Sequence, residues 1–269
     1  MNHFLTIDTL YRNAPSIFTQ ESSMNTSDKY QHISTLEIVE QLAREGFKPT
    51  VAKQSNSRLE SKKLHAKHCI RFRHVDTKPS VSHLFPELVL INSHDGLSSY
   101  RLYAGLYRLV CSNGLVAGEE YEDVRVRHQG DVVGNVIEGT YSIIETAKEL
   151  IHVTDKMASV TLAEEEQVFF AEAAHSLRFE GSEVGLSIEP KKLLSPRRTS
   201  ETNKDDLFTI FNIVQENVIK GGVRGYGRDK QGYPKRIRSR EIKSIDQDTS
   251  LNRALWTLTE KMMQLKGAQ

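Results

Sequence analysis

Val133, Val136, Ile137, Thr140, Ile143, Ile144, Ala147, Leu150 and Ile151 recur every three or four residues. At 3.6 residues per turn they fall on one stripe, so residues 132–156 predict one long helix with a single apolar side. A stripe of that length cannot face water and needs a broad apolar surface to lie on. The segments before it supply one. In 68–75, Ile70 and Phe72 share a strand face while Arg71 and Arg73 share the other, and 87–92 is a second strand. His94-Asp95-Gly96 marks a tight turn. The chain returns through 99–111 as a long strand or bent pair, with Gly105 a bulge or kink. Asn113-Gly114 marks another hairpin turn before 115–117, and Val124 and Val126 alternate with Arg125 and Arg127. The expected fold class is α+β: an antiparallel sheet of four or five strands, the long helix on one face, and a helical C-terminal part.

Shorter helices flank this core. Ser34 and Glu37 have the spacing of a capping box, with the Ser34 side chain accepting from the Glu37 backbone, and Ile33 and Ile38 that of a hydrophobic staple. Gly46 stops this helix, which spans 34–45. Thr161 and Glu164 read as a second box, opening a helix towards Phe179. A helix over 205–220 stops at Gly221, and a closing helix from about residue 248 carries Leu251, Leu255, Leu258 and Met262. The domain reading is an irregular arm over 1–30, an α+β core over 31–180, a linker or crossing segment over 181–204, and a helical part over 205–269. Cys69 and Cys111 read as buried free thiols in a reducing cytoplasm. No run nears the ~18 apolar residues of a membrane span, and no membrane partner is expected.

Enzyme signatures are missing: no phosphate-binding loop, paired-cysteine metal spacing, nucleophile elbow or His-Glu-x-x-His. His65, His68, His74, His83 and His94 form the densest ligand cluster. His68 and His74 share a strand face but stand six residues apart, roughly 20 Å along an extended strand, too far for one ion. Glu164, Glu165 and Glu166 suit the positive start of a helix. No catalytic residue, metal or cofactor is expected.

Charge is concentrated instead. Residues 219–243 carry nine basic side chains against Asp229 and Glu241, about +7 in a chain whose net charge is +1. Glycines and Pro234 argue against a helix there and point to a mobile basic loop that orders on binding. Arg224, Arg228, Lys235, Arg236, Arg238 and Arg240 suit phosphates, and Tyr226 and Tyr233 suit stacked bases. A second basic set lies on the strands: Arg71, Arg73, Arg101, Arg125 and Arg127, with Arg108 in reach and Arg58, Lys62, Lys63 and Lys67 preceding them. A solvated surface loop and ordinary cross-strand charge pairing are the competing readings.

The run His94-Asp95-Gly96 to Arg101-Leu102, then Gly105-Leu106-Tyr107-Arg108-Leu109-Val110-Cys111-Ser112-Asn113-Gly114-Leu115, resembles the phage/plasmid-like family called domain of unknown function 932. Phe211-Asn212, Gln215-Glu216-Asn217, Gly221-Gly222, Ile245-Asp246, Asp248 and Leu251-Asn252 with Ala254-Leu255-Trp256 look like its C-terminal signatures. The resemblance implies a mobile-element context and brings no catalytic residues. The element order is also similar to that of single-strand annealing proteins of the Rad52 and phage Beta/RecT kind. The expected function is therefore non-enzymatic nucleic-acid binding, single-stranded DNA favoured, in recombination, annealing or replication, with a homo-oligomer as one form. The alternative is a protein-interaction factor that inhibits a host defence protein or nuclease.

Overall fold

Alternation in the first half of the chain builds one antiparallel sheet. The computed structural model describes residues 4–21, 31–56, 63–80, 83–95, 98–108, 113–116, 123–180, 187–228 and 231–267. They divide into two units, Met1–Ile151 and His152–Gln269, the boundary falling inside the long helix.

In the first unit, β1 (Phe47–Gln54), β2 (His68–His74), β3 (Leu84–Asn92) and β4 (Tyr100–Arg108) lie in that order. The far edge of β4 is shared by β5 (Asn113–Val116) and β6 (Val124–Val126). Direct pairing aligns Ala52, Ile70, Leu90, Leu102 and Val124 in one transverse row. Against this row lies helix α3 (Val132–Ser159), its buried side formed by Val132, Val136, Thr140, Ile143, Ala147 and Leu150. Gly139 lets the helix approach, since a Cβ there would sit 2.7 Å from Val124 Cγ1 and 2.9 Å from Leu102 Cδ1. Each such aliphatic side chain contributes roughly 1.5–3 kcal/mol on burial, so the stripe fixes the architecture.

Several local expectations are corrected. The described part of the arm is regular: α1 (Ile7–Asn13), capped by Thr6, leads to a 3-10 turn, with Leu10 and Ile17 buried. Strand β1 was not expected, because Pro49 and four polar residues hide its pattern; Pro49 sits at the register shift, where a ladder tolerates it. Helix α2 (Thr35–Arg44) starts at Ser34, whose side chain accepts from Leu36 and not from Glu37. Gly105 lies in regular pairing between Glu87 and Val116, without a bulge. Asn113 and Gly114 belong to β5 and are not the hairpin turn. Cys69 is a buried thiol, while Cys111 lies outside the described residues.

The second unit is built on α5 (Leu207–Lys220), buried on every side from Leu207 to Val218. It packs on α4 (Glu164–Phe179) and α6 (Ile245–Leu265), with Phe211 meeting Trp256 edge-on at 5.9 Å. The α4 start is shifted from the expected box: Glu166 accepts from the Ala163 backbone at 2.7 Å, while Thr161 bridges to Asp206. Residues 219–243 are not an irregular loop. They contain a two-stranded ribbon, β7 (Arg224–Arg228) and β8 (Pro234–Arg238). No helix among the described residues is long and apolar enough to cross a membrane.

Candidate nucleic-acid interface

The sequence Arg-Gly-Tyr-Gly-Arg has a period of two, and antiparallel pairing with Pro-Lys-Arg-Ile-Arg converts that period into two chemically distinct faces. Arg224 opposes Arg238, Tyr226 opposes Arg236 and Arg228 opposes Pro234. Arg224, Tyr226, Arg228, Arg236 and Arg238 therefore share one face, and all are exposed. Gly225, Gly227, Lys235 and Ile237 take the other. The glycines serve close approach here. A Cβ on Gly225 would lie 2.6 Å from the Ser187 carbonyl, and one on Gly227 would lie 2.8 Å from Ile237 Cδ1. Ser187 pairs with Tyr226 by two backbone hydrogen bonds of 2.7 and 2.9 Å, so β7 is held on both edges.

Tyr226 is 53% and Tyr233 69% exposed, Tyr233 standing in the turn. Arg228 Nη1 donates to the Gly232 carbonyl at 2.8 Å and closes that turn. Lys235 is exposed on the opposite face, and Arg240 lies past the ribbon, its carbonyl accepting from Arg178 at 3.1 Å. Asp229 and Lys230 lie outside the described residues. Sequence reasoning did not assign Lys192 to the site, yet its Nζ stands 5.6 Å from the centre of the Tyr226 ring. The basic run of Lys191, Lys192, Arg197 and Arg198 was its available signal.

The ribbon stands on a polar layer made by the signature residues. Asn217 Nδ2 donates to the carbonyls of Leu193 and Ser195 at 2.8 and 2.9 Å, fixing the turn that carries Lys192. Arg197 donates to Asn217 Oδ1 and the Gly221 carbonyl. Arg198 forks onto buried Glu216 at 2.6 and 2.8 Å, and Lys220 adds a third contact. Burial alone would raise the Glu216 carboxyl, but the hydrogen bonds from Arg198 and Lys220 hold it below its ordinary range. Gln215 reaches Asn252 at 2.8 Å. Gly221, at φ 64°, is the one residue type that fits: a Cβ would lie 2.5 Å from the Arg240 backbone. Gly222 and Val223 then exchange backbone bonds with Ser239, forming the stem.

The sheet arginines divide. Arg71 and Arg73 share a face with Arg101 and Arg125, as register requires, but they are 8% and 4% exposed. Both bind Glu87, which is fully buried, at 2.6 Å. Arg71 also donates to the carbonyls of Leu106 and Leu115, and a Cβ on Gly105 or Gly114 would collide with its guanidinium. Arg73 stacks on Phe85 at 3.9 Å and Tyr107 at 4.9 Å. These two are thus removed from the set of phosphate contacts; a strand carboxylate claims them first. Arg101 and Arg125, directly paired, remain exposed with Arg127, and Asp123 lies 3.4 Å from Arg125. Lys63, Lys67 and Arg108 are half-buried, and Arg58 and Lys62 lie outside the described residues.

The histidines are rearranged as well. His68 and His94 pack with His32 and His128 in the first unit, at ring separations of 4.8–6.4 Å. Thr35 Oγ1 lies 2.9 Å from His68 Nε2 and 3.1 Å from His94 Nε2, and Asn92 meets His128 at 3.0 Å. Burial pushes His68 down to about 4 and His128 to about 4, and burial with neighbouring imidazoles pushes His94 to about 2. His68, His94 and His128 are neutral core residues. Among the described residues no group of three His, Cys, Asp or Glu side chains is arranged to hold a metal ion.

A family described as "Domain of unknown function (DUF932)" matches residues 24–256. Two Escherichia coli (strain K12) proteins, UPF0380 protein YafZ and UPF0380 protein YfjQ, are each 39% identical to this chain over 259 residues. The match covers 96% of this chain and 92% of each relative. No solved structure matches it.

Proposed function

The chain belongs to the DUF932 family, whose description assigns no activity, and we propose that it is a non-enzymatic, single-strand nucleic-acid-binding protein acting in the cytoplasm. One observation carries the reading: the ribbon gathers Arg224, Arg228, Arg236 and Arg238 around exposed Tyr226 on a single face. Guanidinium groups bind phosphate oxygens and release counterions, and a flat ring accepts any base by its π-face. Phosphates on arginine and bases on tyrosine leave the pairing edges outward, which is what annealing in recombination or replication of a mobile element requires. Single-stranded DNA is the favoured ligand.

The test is purification without nuclease, followed by heparin chromatography. Wild-type protein is expected to carry nucleic acid, visible in its 260 to 280 nm absorbance ratio, and to elute from heparin late. The variant Arg224→Gln/Arg228→Gln/Arg236→Gln/Arg238→Gln is expected to lose both properties while keeping its far-ultraviolet circular dichroism. Nucleic-acid-free wild type that elutes with the variant would transfer the ribbon to a protein partner.

A further inference from the structure

We propose that Lys192, Arg224 and Arg238 form a preformed site for one phosphate group of the bound strand, a proposal that rests on the single-strand reading above. Arg224 and Arg238 are direct cross-strand partners at the root of the ribbon, on its exposed face. Like charges placed opposite one another weaken a ladder. Among the described residues neither has a carboxylate within ion-pair distance. An anion between them would turn a repulsive pair into a clamp, since each guanidinium offers a fork matched to phosphate oxygens.

The third cation is delivered by independent structure. Lys192 sits on the turn Pro190–Leu194, anchored by fully buried Leu193 and by the Asn217 bonds to Leu193 and Ser195. Its acidic neighbour, Glu189, is solvent-exposed and 3.7 Å away, so it is a weak competitor. Lys192, Arg224 and Arg238 together line two adjoining depressions of about 630 and 500 Å³. Tyr226 walls the first of these, beside the cations, where the base attached to a clamped phosphate can stack. The second is walled by Ser195 and Arg197, the latter already committed to Asn217 and Gly221. The shared ligand chemistry is a phosphate oxygen group, which a strand supplies either as an internal diester or as a terminal monoester of higher charge.

The test titrates the full-length, ¹⁵N-labelled chain with inorganic phosphate at constant ionic strength, following arginine Nε–Hε resonances. Saturable shifts confined to two arginines are expected. Arg224→Gln and Arg238→Gln should each weaken half-saturation at least tenfold, Arg238→Lys should weaken it less, and Lys148→Gln, a surface change elsewhere, should leave it unchanged. Melting temperatures equal to wild type check that the variants are folded. A parallel anisotropy titration compares oligonucleotides with and without a 5′-phosphate. Equal affinity assigns the site to an internal diester and a tenfold preference to the strand end; either supports the clamp. Shifts that never saturate, or that survive Arg224→Gln, overturn the clamp even if oligonucleotides still bind. Saturable phosphate binding by a protein that binds no oligonucleotide overturns the assignment to a strand and the single-strand reading with it.

Discussion

Replacing Glu87 by Gln tests the buried charge cluster of the sheet. Each Glu87 carboxylate oxygen lies 2.6 Å from one guanidinium, and Oε1 also accepts from Thr50 at 3.1 Å. The substitution keeps the volume, removes the negative charge and leaves Arg71 and Arg73 facing an amide. Removing one partner of a buried ion pair costs about 3–5 kcal/mol, against a total stability of about 5–15 kcal/mol. Arg71 adds a further cost, because its bonds to Leu106 and Leu115 tie β5 to β4. In a unit of this size 1 kcal/mol corresponds to about 2–4 °C, so differential scanning calorimetry should show a melting temperature about 6–20 °C lower. Replacing the whole cluster, Arg71→Met/Arg73→Met/Glu87→Leu, should recover most of that loss, since apolar groups of similar volume often substitute for a buried ion cluster at little cost. A Glu87→Gln protein melting within about 2 °C of wild type would refute the pairing and return Arg71 and Arg73 to the surface set.

Ile143, fully buried on the α3 stripe, should not tolerate Ile143→Asp; an unpaired buried carboxylate costs several kcal/mol, and urea denaturation should show the first unit unfolded or close to it. The histidine core predicts acid sensitivity. The folded His68 imidazole is held at about 4, below its ordinary 6.5, so the unfolded chain binds the proton first as pH falls. Stability is therefore full above 6.5 and drops by roughly 1.4 kcal/mol per pH unit for this group down to about 4. The urea midpoint should follow that curve, and His68→Gln should flatten it; a midpoint constant from pH 7 to 4 would contradict the buried neutral cluster. Gly225→Val should push the ribbon off Ser187, whose carbonyl stands 2.6 Å from the new Cβ. Chymotrypsin cleavage at Tyr226 should accelerate in that variant, whereas Gly232→Ala, with nothing near its Cβ, should not produce that effect beyond local turn strain.

Patterns of period 3.6 were legible because they report burial directly: the α3 stripe, the α5 core and the end of α5 at Gly221 all follow from apolar spacing and a glycine stop. The sheet was legible where alternation was clean and hidden where polar residues and a proline sat on edge strand β1. The site was half legible. Composition located the basic segment, but glycine was read as freedom when Gly225 and Gly227 answer steric crowding, so a ribbon looked like a loop. One strand's alternation also cannot tell which arginines a distant carboxylate will claim. Glu87 takes Arg71 and Arg73 through neighbouring-strand register, a non-local fact. Lys192 was missed for the same reason: it reaches Tyr226 across a fold that Asn217 closes.

The central claim is tested most directly by fluorescence anisotropy of a labelled single-stranded oligonucleotide across a salt series. If Arg228 and Arg236 each meet one phosphate and Arg224 with Arg238 holds a third, log affinity against log salt should have a slope near −2, at roughly −0.7 per single-strand phosphate. Arg228→Gln/Arg236→Gln should flatten the slope by about 1.4, while Tyr226→Ala should keep the slope and cost about 1–3 kcal/mol at every salt concentration. A wild-type slope unchanged by the arginine substitutions, or no binding at low salt, would contradict the account.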